Sequence, residues 1–136
     1  MKILVDTNII LDALASRMPF SKDAEKIFLL AAQEKIEAFI SASSITDIYY
    51  ILRKYSSEKS SRNALLSLFQ IFKVVAVSES ACIHALESTI PDYEDALQDI
   101  CARTAHMDWI LTRDEMFLKH SSLALSPAMF FAKAQL

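Results

Sequence analysis

Short apolar runs alternate with longer amphipathic stretches along this chain. Ile3-Leu4-Val5 is a continuous apolar run, as a strand covered on both faces requires. Ala38-Phe39-Ile40 is a second such run, Val74 to Val77 a third, Trp109-Ile110-Leu111 a fourth and Leu123-Ala124-Leu125 a fifth. The stretches between them carry helical spacing. One runs from Asn8 to about Ala15. Ser21 to Glu34 aligns Ala24, Ile27, Phe28 and Ala31, and Ser44 to Tyr55 aligns Ile48, Ile51, Leu52 and Tyr55. Arg62 to Phe72 aligns Leu65, Leu66, Leu68, Phe69 and Phe72, and the polar Ser56 to Arg62 reads as a helix connection. Ser78 to Ser88, Asp92 to His106 and a helix after Pro127 complete the series. Strands separated by helices call for right-handed crossovers and a parallel sheet. The pattern predicts one domain over residues 1–136, a three-layer α/β/α sandwich around a central parallel sheet of four or five strands.

Composition narrows the function. At 136 residues and 53% hydrophobic content, the chain can bury a core without disulfides. Cys82 and Cys101 imply no disulfide framework and are expected to sit in helices as small hydrophobes. No apolar run approaches the ~18 residues of a membrane span. The start, MKILVD, lacks a signal-peptide pattern, so a cytoplasmic protein without membrane contact is expected. The net charge of −3 argues against a nucleic-acid coat protein, which would be strongly basic. It leaves room for an enzyme that holds nucleic acid through cations. The chain has no glycine, which excludes phosphate-binding Gly-rich loops and a G-x-S-x-G nucleophile elbow. Helix stops that need φ > 0 then fall to Asn, Asp, His or Ser.

In open parallel sheets, sites form outside the carboxyl ends of the strands. Asp6 directly follows the first apolar run, and Thr112-Arg113-Asp114 follow the fourth. Asp47 falls in the first turn of the helix expected after the second run, and Asp95 in the first turn of the helix leading to the fourth. Each acid also suits a helix cap: Asp6, Asp92 and Asp114 each precede a helical stretch, and Ser44-Ile45-Thr46-Asp47 has the outline of a capping box. If four carboxylates meet, however, either some protonate or a cation sits among them. An all-carboxylate oxygen site suits Mg²⁺ or Mn²⁺, and such ions activate water and stabilise charge on a phosphate.

These residues resemble the motifs of the PIN domain family. Met1 to Asp12 is similar to its opening, in which Asp-Thr-Asn (here Asp6-Thr7-Asn8) follows the first strand. Ile40 to Tyr50 is similar to the second motif, with Asp47 where Glu is usual. Asp92-Tyr93-Glu94-Asp95-Ala96-Leu97-Gln98 resembles the third and Leu111-Thr112-Arg113-Asp114 the fourth, where close relatives often carry Asn. The motifs occur in order over nearly the whole chain. The resemblance implies a Mg²⁺- or Mn²⁺-dependent ribonuclease. In the bacterial branch it implies a toxin neutralised by a cognate antitoxin. Carried over, Asp6, Asp47, Asp95 and Asp114 form the catalytic and metal-binding set, with Asn8 and Thr112 beside it. Family glycines near the second and fourth strands are replaced, with Ala38 and His106 in such places. A homodimer is expected from the apolar excess and from family habit.

Other residues hold two roles open. Asp12 and Asp99 are either supporting acids or ordinary helix acids, Asp99 lying four residues after Asp95. Glu94 is a weaker alternative to Asp95, and Glu115 competes with Asp114. Arg113 is placed to meet an RNA phosphate, more directly than the basic cluster Arg53, Lys54, Lys59 and Arg62, which also fits a solvated helix end. Tyr49, Tyr50 and Tyr55 suit base stacking or, more ordinarily, core or interface packing. Two further functions stay open: a PIN-like RNA-binding or scaffold module without catalysis, and a phosphatase- or receiver-like phosphoryl-transfer protein. The last lacks the second Asp expected two positions after Asp6, where Asn8 stands.

Overall fold

The computed structural model describes residues 1–136. Five strands, β1 (Lys2–Val5), β2 (Glu37–Ser41), β3 (Lys73–Val75), β4 (Trp109–Leu111) and β5 (Ala124–Leu125), form one sheet in the order β3-β2-β1-β4-β5. Every neighbouring pair is parallel. The connections carry α1 (Thr7–Leu14), α2 (Ser21–Ala32), α3 (Ala42–Arg53), α4 (Glu58–Leu68), α5 (Glu79–Leu86), α6 (Tyr93–Thr104) and α7 (Glu115–His120), and α8 (Pro127–Ala134) follows β5. No helix is long and apolar enough to cross a membrane.

The continuous apolar runs are explained by two cores. Side chains alternate across a strand. Ile3 and Val5 therefore join Ala38, Ile40, Leu111 and Leu125 in a core under α1, α2, α3, α4 and α8. Leu4, Ile110 and Ala124 point the other way, into a core built with α5, α6 and α7. Both faces of β1 are thus dry, and a polar residue anywhere in Ile3–Val5 would be buried.

The strand order fixes where a site can form. The chain moves outward from β1 through β2 to β3, then returns to β4 on the other side of β1 and continues to β5. The reversal leaves a crevice at the carboxyl ends of β1 and β4, the place where such sheets bind ligands. Asp6 donates its backbone N–H to the Leu111 carbonyl at 2.9 Å, so the ends of these two strands are locked side by side.

Several boundaries differ from those expected. Helix α4 begins at Glu58, inside the polar run read as a connection, because Ser57 caps it by accepting from the Ser60 N–H. Helix α3 begins at Ala42, with Ser41 serving both as the last residue of β2 and as N-cap to Ser43. The expected box starting at Ser44 does not form, and Asp47 falls in the second helical turn. Strand β3 spans Lys73–Val75 and stops short of Val77, since it pairs only with the short reach of β2. The left-handed positions are Ser16, Glu34, His106 and Gln135. Ser16 and His106 are residue types expected there, whereas the glycine-like place before β2 is Glu34 rather than Ala38. Cys82 lies half-buried in α5 and Cys101 is buried in α6, both unpaired.

Candidate active site

Asp6 is the N-cap of α1 and is almost fully buried. Its carboxylate accepts three hydrogen bonds, from the Thr7 N–H at 2.8 Å, the Gln98 Nε2 at 3.0 Å and the Thr112 hydroxyl at 2.8 Å. These donors come from the start of α1, the middle of α6 and the end of β4. One carboxylate therefore ties together the elements that meet at the crevice, and its orientation is fixed. The Thr112 hydroxyl also accepts from the Asp114 N–H at 3.1 Å, which holds the next acid in place.

Asp114 caps α7, accepting from the Met116 and Phe117 N–H groups on Oδ1 and leaving Oδ2 without a protein donor. Asp92 caps α6 through the Asp95 N–H. Asp95 itself caps nothing. It is 6% exposed, and its Oδ2 has no hydrogen-bond partner. The Thr7 hydroxyl and the Gln98 Oε1, also buried, are likewise unpartnered. Buried polar atoms are rarely left so, and each of these calls for an explanation.

Together these residues line a cleft of about 330 Å³ that holds Asp6, Asn8, Asp47, Asp95 and Asp114, with Asp92 and Glu94 on its wall. The electrostatic cost is visible. Burial, then the charges of Asp92, Asp6, Asp114 and Glu94, push the Asp95 carboxyl up to about 7. Loss of hydration, followed by the facing Asp47, raises Glu94 to about 7 as well. No three of the His, Cys, Asp or Glu side chains come close enough together to hold a metal ion among themselves. The cleft instead spreads its carboxylates around an open volume.

A family model described as PIN domain matches residues 2–116. The chain belongs to the PIN domain family. This PIN domain is 25% identical over 121 residues to Ribonuclease VapC1 of Aquifex aeolicus, an alignment covering 85% of this chain and 83% of that one. Among solved structures it is similar to a toxin–antitoxin complex from Klebsiella pneumoniae, with TM-score 0.69, 20% identity and coverage of 92% of this chain and 97% of that chain. It is also similar to VapC20 of Mycobacterium tuberculosis, a sarcin–ricin loop cleaving toxin, with TM-score 0.69, 15% identity and coverage of 86% and 93%. VapBC2 from Rickettsia felis, bound to a promoter DNA fragment, shows TM-score 0.66 and 18% identity over 93% of this chain and 98% of that one.

Tyr50 and Lys54 of this PIN domain also line the cleft, whereas Asp12, Asp99, Arg113 and Glu115 do not. Asp12 is 1% exposed and receives Arg113 at 2.7 and 3.1 Å, with Arg17 at 3.8 Å. The Arg113 guanidinium also lies over the Phe20 ring, 4.1 Å from its centroid. This bidentate pair pins the segment carrying Thr112 and Asp114 to α1, a supporting role for both side chains. Arg113 is thereby committed to Asp12 in this structure, not placed toward the cleft. Asp99 sits one helical turn, about 6 Å, beyond Asp95 along α6. It accepts from Arg103 at 2.9 Å and from the Ser121 hydroxyl at 2.6 Å, which ties α6 to the end of α7 and not to the cleft. Glu115 is exposed and is not among the residues lining the cleft. Gln98 was not singled out by sequence reasoning. Its signal was its position three residues after Asp95, on the same face of α6.

Proposed function

We propose that this PIN domain is a divalent-cation-dependent endoribonuclease and acts as the toxin of a toxin–antitoxin pair. The observation that supports the proposal is the cleft at the β1–β4 crevice, which Asp6, Asp95 and Asp114 line together and where a buried Asp95 oxygen stands unpaired. The donor set fits Mg²⁺ or Mn²⁺: it is all oxygen, and it leaves room for the several waters that Mg²⁺ keeps beside one or two direct carboxylates. Asp6, Asp95 and Asp114 would hold the cation, with Asp47 reaching from the rim. When bound, the cation supplies charge neutralisation at the scissile phosphate and a lowered pKa for water.

The chain's own residues supply position. Asp6 cannot rotate away, because its three donors come from separate elements. Asn8 brings a side-chain amide to the cleft for a phosphate oxygen or a water. Asp95 lies in a desolvated wall among other acids, where a bound cation would compete with the proton for its carboxylate. In the hydrolysis, a water oxygen bonds to phosphorus and the P–O3′ bond breaks. The water's proton ends on the 3′ oxygen, giving a 5′-phosphate and a 3′-hydroxyl. The toxin role is supported by the likeness to the named ribonuclease and by the toxin–antitoxin complexes of the same fold. It implies a cognate antitoxin as partner, and a homodimeric, cytoplasmic protein fits the same role.

Purified protein incubated with single-stranded RNA and Mg²⁺ or Mn²⁺ should cut it, and both excess EDTA and Asp6→Asn should abolish cutting. Cleavage that persists in EDTA, or that Asp6→Asn leaves undiminished, overturns the proposal. Binding of RNA without cleavage under any metal would instead assign a catalytically silent RNA-binding or scaffold module.

A further inference from the structure

The acidic cleft has one cation on its wall, Lys54, and one exposed aromatic, Tyr50. Tyr50 lies in the last turn of α3 and Lys54, four residues on, is its C-cap in helical conformation, so the two lie on one side of the helix end. The same pair also lines a second, shallower groove, together with Tyr49, Arg53, Arg62 and Glu58. Acidic cleft and basic, aromatic groove are therefore continuous through Tyr50 and Lys54.

From this continuity, and resting on the nuclease proposal, we infer that an unpaired RNA strand leaves the acidic cleft along α3, with a base on Tyr50 and phosphates against Lys54, Arg53 and Arg62. Tyr50 is 65% exposed, and its ring meets Tyr49 edge-on with centroids 5.1 Å apart, which steadies the ring and leaves a face open. Arg62 reaches from α4 to 5.9 Å from the Tyr49 ring centroid. Lys54 is in no ion pair, and Arg53 is held only by a bond to the Ser56 carbonyl. Arg62 pairs with Glu58 at 3.0 Å, but both are exposed, and an exposed pair of this kind is weak enough to trade for a phosphate. In a chain of net charge −3, a strip of cations starting at the mouth of an acidic cleft gives a polyanion its approach. A base can stack on tyrosine only if it is already unstacked from its neighbours, which selects single strands, loops or ends over duplex.

The test is fluorescence anisotropy with a short labelled single-stranded RNA, and its duplex form, in Ca²⁺, with a gel to verify that the RNA stays intact. Thermal melting checks the variants, whose side chains are exposed. Tyr50→Ala should weaken single-strand binding about tenfold, while Tyr50→Phe keeps it and duplex binding is unchanged. Lys54→Ala should lower the slope of log affinity against log salt by about 0.7. Wild-type affinity and salt slope in both Ala variants would overturn the inference and leave the groove to a protein partner. If wild type binds through Tyr50 and Lys54 yet never cuts in Mg²⁺ or Mn²⁺, the nuclease proposal fails and the track stands. If it cuts and both variants bind and cut as wild type does, the track fails and the nuclease proposal stands.

Discussion

Asp95 is a buried carboxylate with an oxygen that nothing in the chain satisfies, surrounded by four other acids. Its pKa, near 7 in place of the usual 3.8, makes it a pH-dependent liability for the fold. The folded state favours the protonated form, so its contribution is intact below about pH 4 and is lost as pH rises through about 7. Without added divalent cation, the melting temperature should therefore fall between about pH 4 and pH 7. Asp95→Asn should lessen that fall and leave the part due to Glu94, which is raised to about 7 as well, and a melt series across pH with both proteins checks it. Asp6 presents the opposite case, a carboxylate with three donors. Thr112→Val removes one of them and also the acceptor of the Asp114 N–H, and should cost about 1–3 kcal/mol in chemical denaturation. At this scale the sequence was informative about which acids line the cleft and less so about how each is held. Capping a helix and lining the cleft are not rivals for Asp6 and Asp114: each does both, since a helix N-terminus at a strand end borders the crevice. Gln98 escaped notice because a neutral amide in a helix carries no chemical flag until its partner is known.

Elements were legible where burial dictated them. The apolar runs marked β1, β2 and β4 because a strand dry on both faces admits nothing polar. Boundaries were less legible where a side-chain cap, not apolar periodicity, starts the helix. Ser57 launches α4 from within a polar run, and Ser41 launches α3 directly from the end of β2, which moves Asp47 a turn further along its helix than expected. Two turns into strands, at Glu34 before β2 and His106 before β4, adopt φ of 58° and 56°. Only glycine takes that conformation without steric cost, and this chain has none. His106→Gly should therefore raise stability by roughly 0.5–1 kcal/mol, the relief of the left-handed strain less the added freedom of the unfolded chain. A denaturant titration would read it, and a loss of stability would mean that the imidazole makes a contribution larger than the backbone cost.

For the whole molecule, the governing feature is the reversal of strand order beside β1. It brings acids from the start, middle and end of the chain to one mouth, and no local pattern in the sequence could have shown that they meet. The fold class was legible from the alternation of runs and helices, and the family from its motifs. That Asp6, Asp95 and Asp114 line one cleft needed the topology. Because deprotonated carboxylates bind cations, added Mn²⁺ should raise the melting temperature, and more at about pH 8 than at about pH 6. An equal rise at both values would place the cation elsewhere. The most direct test is a crystal of the wild-type protein soaked in Mn²⁺, with anomalous diffraction recorded at the manganese edge. The structure predicts an anomalous peak in the cleft, within coordinating reach of Asp6, Asp95 or Asp114 and lost in Asp95→Asn. A peak only at other surface acids, with none in the cleft, would contradict the account.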